Sequence, residues 1–150
     1  MKLAYNAPTG CYRACAGLNM IRWTHLTVTV SDLARSIEFY TAVCGLSVVR
    51  DRREQGGSTV WLGPVPPPGQ EPSFVLVLMP GEVKDRVGHL GFQCDRRDQV
   101  DAIARQAEER GILDDPPKDS GGVVGYWTII RDPDGHLVEF TCGQPIKGLA

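Results

Sequence analysis

The chain has 150 residues, 42% of them hydrophobic and 23% charged, with a net charge of -2. That length suits one compact unit, and the charge balance offers no basic surplus to draw in nucleic acid. No apolar run approaches the ~20 residues needed to span a bilayer, and the first 20 residues lack a signal-like apolar stretch, so a cytoplasmic protein with no membrane partner is expected. Five cysteines (Cys11, Cys15, Cys44, Cys94 and Cys142) form no paired framework and read as free thiols. Cys11 and Cys15 lack a second closely spaced pair, so no structural zinc is expected there.

Residues 1–20 carry no periodicity and are expected to be a weakly ordered extension ahead of a single domain over 21–150. The first predicted strand, 23–30, alternates: Leu26, Val28 and Val30 share one face, and His25, Thr27 and Thr29 share the other. A helix near 32–44 follows, with Leu33, Ile37, Tyr40 and Cys44 in one apolar stripe, Asp32 suited to its N-cap and Gly45 to its left-handed end. Strands are predicted at 46–53, 57–63 and 73–79. The charge run Arg50 to Glu54 reads as a solvated strand end.

The same order then recurs. Gly88-His89-Leu90-Gly91-Phe92 opens a second unit, whose histidine lies 64 residues after His25. A helix near 98–110 carries Val100, Ile103 and Ala107, and strands follow near 112–114, 123–131 and 136–142. Asp132-Pro133-Asp134-Gly135 reads as a hairpin turn. The Pro- and Gly-rich stretches 63–69 and 114–122 read as loops, either solvated or bordering a cavity. The fold class implied is α+β: two tandem βαβββ modules, about 21–80 and 86–143, whose mixed sheets face each other around a concave cavity with the helices outside.

In the last strand Val138 and Phe140 are apolar and leave Glu139 on the opposite face, as Leu90 and Phe92 leave His89. Two imidazoles and a carboxylate are the ligand set that holds Fe(II), Mn(II) or Zn(II) with positions left open. His25, His89 and Glu139 are therefore the candidate ligands of one divalent ion, able to polarise a substrate oxygen or lower the pKa of a bound water. Thr27, Trp61, Trp127 and Ile129 are candidate substrate contacts, although for both tryptophans a core-filling role is the favoured reading. His136, beside the turn, reads as solvated. No catalytic group is identifiable beyond the metal ligands.

These residues carry a resemblance. His25 with Asp32-Leu33-Ala34-Arg35-Ser36-Ile37-Glu38-Phe39-Tyr40 and Gly45-Leu46, then Gly88 to Phe92, then Arg131 to Glu139, resemble the vicinal oxygen chelate superfamily over roughly 22–142. That superfamily includes glyoxalase I, extradiol dioxygenases, fosfomycin resistance proteins, methylmalonyl-CoA epimerase and bleomycin resistance proteins. The resemblance implies a metal held by His25, His89 and Glu139, a substrate that chelates it through adjacent oxygens, and a homodimer. Two departures narrow it. The fourth ligand of glyoxalase I, a glutamate replaced by glutamine in the epimerase, is matched here by Val77. The tyrosine that extradiol dioxygenases and fosfomycin resistance proteins carry ten residues before the last glutamate is matched by Ile129, and its role does not pass to the nearby Tyr126. The expected function is a metal-dependent enzyme of the glyoxalase/dioxygenase type, a dioxygenase or lyase, acting on a small molecule with vicinal oxygens. The alternative is a protein that sequesters an antibiotic or aromatic compound, as the bleomycin resistance branch does.

Overall fold

The structure, a computed structural model, describes residues 24–70 and 72–144. The expected N-terminal extension lies outside them. Two βαβββ modules follow one another in the chain. The first comprises β1 (His25–Val30), α1 (Leu33–Ala42), β2 (Ser47–Asp51), β3 (Val60–Gly63) and β4 (Val75–Pro80). The second comprises β5 (Leu90–Gln93), α2 (Arg97–Glu109), β6 (Leu113–Gly121), β7 (Gly125–Arg131) and β8 (Leu137–Cys142). Each builds a four-stranded mixed sheet, in the orders β1-β4-β3-β2 and β5-β8-β7-β6, with β1 parallel to β4 and β5 parallel to β8. The expected repeat is therefore a repeat of topology.

Local chemistry sets the element ends. The Asp32 side chain accepts a hydrogen bond from the Arg35 N–H at 3.0 Å, capping α1, and Gly45 takes the left-handed conformation that turns the chain into β2. At α2 the Gln99 side chain accepts from the Arg96 N–H at 3.0 Å. Two boundaries differ from expectation. β2 ends at Asp51, and a short 3-10 turn over Arg53–Gln55 replaces its predicted continuation. The predicted loop over 114–122 is mostly strand: β6 reaches Gly121 and includes Pro116 and Pro117. It is an edge strand with register shifts at three places, the setting in which prolines lacking an N–H are tolerated.

The alternation expected in β1 holds, with His25 and Thr27 exposed while Val28 and Val30 are buried. One apolar core joins the modules, with Val28, Val30, Phe39, Tyr40, Leu62 and Leu78 from the first meeting Ala107, Ile130, Val138 and Phe140 from the second. Ala42 and Val43 at the end of α1 and Ile103 and Ala107 of α2 border a common cavity, so the helical sides of the modules are neighbours within one chain.

A polar knot reinforces that junction. Asp132, only 3% exposed, accepts hydrogen bonds from the Tyr40 hydroxyl at 2.8 Å, the Asp134 N–H at 2.9 Å and the His136 N–H at 2.8 Å. His136 is not solvated as expected: it is 1% exposed, its Nε2 lies 3.0 Å from the Thr29 carbonyl oxygen, and its Nδ1 faces the Val87 N–H at 3.4 Å. Asp134 accepts from the Ser31 N–H at 3.0 Å and from the Ser31 hydroxyl. The β7–β8 turn of the second module is thereby fastened to the β1–α1 junction of the first.

Burial first, and the adjacent Asp132 carboxylate second, push the Tyr40 hydroxyl above its ordinary value. The folded state holds this proton more tightly than the unfolded chain, so the Tyr40 contribution to stability is complete below about pH 10 and is lost as pH rises beyond it. Urea unfolding at pH 8 and pH 11 is expected to show a smaller alkaline loss in Tyr40→Phe than in the wild type; equal losses would show that Tyr40 does not set it. Asp132→Ala leaves three donors facing an empty position and is expected to cost about 3 kcal/mol at neutral pH.

Candidate metal-binding and substrate site

His89 and Glu139 come together as expected. The His89 Nε2 lies 3.6 Å from Glu139 Oε2, with His89 about half exposed and Glu139 largely covered. Glu139 is placed by the register of β8, where it faces Gly91 of β5 and Ile129 of β7. Gly91 carries no side chain between the histidine and the carboxylate. The other Glu139 oxygen, Oε1, accepts from the Gln144 side-chain amide at 3.1 Å, a contact with no periodic signal in sequence. A separation of 3.6 Å is close to the roughly 3 Å between two donors that each sit ~2.1 Å from one ion, so this pair fits as two ligands.

His25 does not join them within one chain. Among the described residues no three His, Cys, Asp or Glu side chains are grouped closely enough to hold a metal ion. The reason is the place at which the modules dock. The second module's turn is fastened at Thr29 and Ser31, whereas His25 stands at the start of β1, about 13 Å along the strand from Thr29. The face assignments hold; the sequence leaves open whether the three ligands come from one chain or from modules exchanged between two, and among the described residues of one chain His25 stands apart from the other two.

His25 instead borders a cavity of about 350 Å³ on the exposed face of the first sheet. Its Nδ1 lies 3.0 Å from the Thr24 hydroxyl oxygen. Thr27 and Trp61, two predicted substrate contacts, line this cavity with Val75, Val77 and Met79. The other two, Trp127 and Ile129, lie on the second sheet. Ile129 is in register with Glu139, while Trp127 donates from Nε1 to the Ser120 hydroxyl at 3.0 Å and has the Lys118 ammonium 4.2 Å from its ring centre. Tyr126 is taken by the helix side, its hydroxyl donating to Asp101 of α2 at 2.5 Å.

The repeat gives Val77 a defined counterpart. Val77 pairs with Thr27, two residues after His25, as Glu139 pairs with Gly91, two residues after His89. The first sheet therefore carries valine where the second carries its carboxylate. Sequence reasoning missed Arg50 and Arg52, which read as solvated: both border the cavity, and the Arg50 guanidinium lies 5.2 Å from the Trp61 ring centre. The bulge between Val48 and Arg50, invisible to a period-two reading, sets Arg50 opposite Trp61.

Comparison with known proteins agrees with this architecture. The family model for the Glyoxalase/Bleomycin resistance protein/Dioxygenase superfamily matches residues 22–140, and the chain belongs to that superfamily. The uncharacterized protein PA2024 of Pseudomonas aeruginosa is 41% identical over 128 residues, covering 82% of this chain and 89% of that protein. Lactoylglutathione lyase of Escherichia coli O157:H7 is 29% identical, covering 79% of this chain and 90% of the lyase. Among solved structures, a mutant of the fosfomycin resistance protein FosX of Listeria monocytogenes, complexed with Mn(II) and dihydroxypropylphosphonic acid, shares the fold at a TM-score of 0.64 and 19% identity, covering 81% of this chain and 92% of its own.

No helix among the described residues is long and apolar enough to cross a membrane. Among them, Cys44, Cys94 and Cys142 are free thiols. Burial foremost, with Asp132 adding to it, pushes the Cys44 thiol well above its ordinary value. Cys44 is accordingly expected to react with iodoacetamide at pH 8 at least about tenfold more slowly than an unperturbed exposed thiol; a comparable rate in peptide mapping would contradict its place in the core.

Proposed function

We propose that the protein is a metal-dependent enzyme of the glyoxalase/dioxygenase type acting on a small molecule with vicinal oxygens, and that its site is shared between two copies of the chain. His89 and Glu139 of one copy and His25 of the other would hold one divalent ion, Fe, Mn or Zn. The observation that carries this reading is the half-built site: a histidine and a glutamate in ligand-like proximity, with the third ligand type on the equivalent face of the repeated sheet.

The sheet orders supply a route to assembly. His25 opens β1, and His89 immediately precedes β5; these are the outer strands of their sheets, each hydrogen-bonded on one side only among the described residues. Outer strands expose unpaired N–H and C=O groups that favour association with another edge. Setting β1 of one copy beside β5 of a second brings the two histidine-bearing ends together and, by two-fold symmetry, does so twice. Among the described residues the modules are joined through their helical sides, away from both histidine-bearing faces.

The lactoylglutathione lyase relationship and the Mn(II)-bound FosX neighbour support metal chemistry in general terms. Val77 argues against a fourth protein ligand on the first sheet, and hence against close similarity to glyoxalase I in reaction. The second reading, sequestration of an aromatic or antibiotic compound, is favoured by the tryptophan and valine lining of the first-sheet cavity.

Metal analysis of protein purified without chelator separates the two. The enzyme reading predicts close to one ion per chain in the wild type and marked loss in both His89→Ala and Glu139→Ala, since each removes one bond of ~2.0 to 2.2 Å from a three-ligand set. Unchanged stoichiometry in both variants, or a metal-free wild type with full ligand binding, would refute it. Sedimentation at tens of micromolar is expected to show a dimer; a metal-loaded monomer would overturn the shared site.

A further inference from the structure

The proposed function leaves open what the first-sheet cavity receives, and the inference drawn here rests on that function by placing the cavity beside the metal ligands. We infer that it binds the body of a planar aromatic compound bearing a carboxylate, with Arg50 as the residue that selects the charge.

The wall is apolar where the repeat allows a carboxylate. At the position that is Glu139 in the second sheet stands Val77, and Val75, Met79 and Trp61 continue the same surface. The modules have thus divided the work: one sheet carries a carboxylate suited to a cation, the other a surface suited to burying an apolar group. A volume of about 350 Å³ lies at the lower end of the ~300–1,000 Å³ typical of small-molecule sites, room for one or two rings.

The rim is cationic. Arg50 and Arg52 border the cavity, and neither pairs with a carboxylate among the described residues, whereas the adjacent Arg53 is paired with Asp51. Arg50 lies 5.2 Å from the centre of the Trp61 ring. A guanidinium held over an indole keeps its N–H donors at the edge of its plane, where they match a carboxylate bidentately. An aromatic body against Trp61 and Val77 therefore places an attached carboxylate within the range of a cation that, among the described residues, has no carboxylate partner to give up.

The test is calorimetric titration of chelator-stripped protein with naphthoate and, separately, with the uncharged naphthylmethanol. The wild type is expected to bind naphthoate at least about tenfold more tightly, the value of one charge-assisted bidentate contact, and Arg50→Met, an exposed position that does not threaten folding, is expected to abolish the preference. Val77→Glu is expected to weaken naphthoate about tenfold or more by placing a like charge in the wall; circular dichroism establishes whether that variant folds, and Arg50→Met carries the test if it does not. Equal affinity for the two probes, or a preference untouched by Arg50→Met, overturns the inference. Because the titration is run without metal, a preference that persists in protein unable to bind metal upholds the cavity assignment while refuting the metal-dependent function.

Discussion

The structure turns on one buried carboxylate. Asp132 sits in the β7–β8 turn, takes three hydrogen bonds, and through Tyr40 reaches across to the first module's helix. A carboxylate removed from water is tolerated only when its oxygens are met in this way, so the turn, the tyrosine and the histidine behind it hold one arrangement together. Asp134 on Ser31 and His136 on Thr29 extend the same fastening to the end of β1. What this fixes is the relative placement of two otherwise similar sheets. By docking the second module on the far end of β1, it keeps His25 away from His89 and Glu139 and turns the functional question into one of assembly.

The two modules have kept their topology and parted in their side chains. Sheet order and the pairing of first with fourth strand are the same in both, yet the residue two positions beyond each histidine faces a valine in one sheet and a glutamate in the other. Trp61 lies in register with Val77, and Ile129 with Glu139, so the divergence extends to the next strand. A duplicated fold offers two equivalent faces, and this chain has set a histidine and a carboxylate on one and an apolar wall with a cationic rim on the other.

Much of this was legible in the sequence because it follows from short-range rules. Alternation in β1 and β8 assigned His25 and Glu139 to the outward faces, Gly45 marked the end of the first helix by the positive φ it adopts, and Asp132-Pro133-Asp134-Gly135 gave the turn. The misses share a different cause. Pro116 and Pro117 read as loop because nothing local reveals that their strand lies at a sheet edge. His136 read as solvated because its partner, the Thr29 carbonyl, is 107 residues away. The same limit governs the candidate site: a period of two fixes the side of a sheet on which a ligand stands, and says nothing of which sheet it will meet.

The central claim is that a complete three-ligand site forms only between two copies of the chain, and subunit mixing addresses it most directly. His25→Ala and Glu139→Ala proteins, each expected to be metal-deficient alone, are dissociated, mixed and reassociated before metal content is measured. If the site is shared, each mixed dimer contains one intact set, His25 from the Glu139→Ala chain with His89 and Glu139 from the His25→Ala chain, and metal binding returns in the mixture. If all three ligands come from one chain, no combination restores a site, and a mixture as metal-deficient as its components would contradict the account.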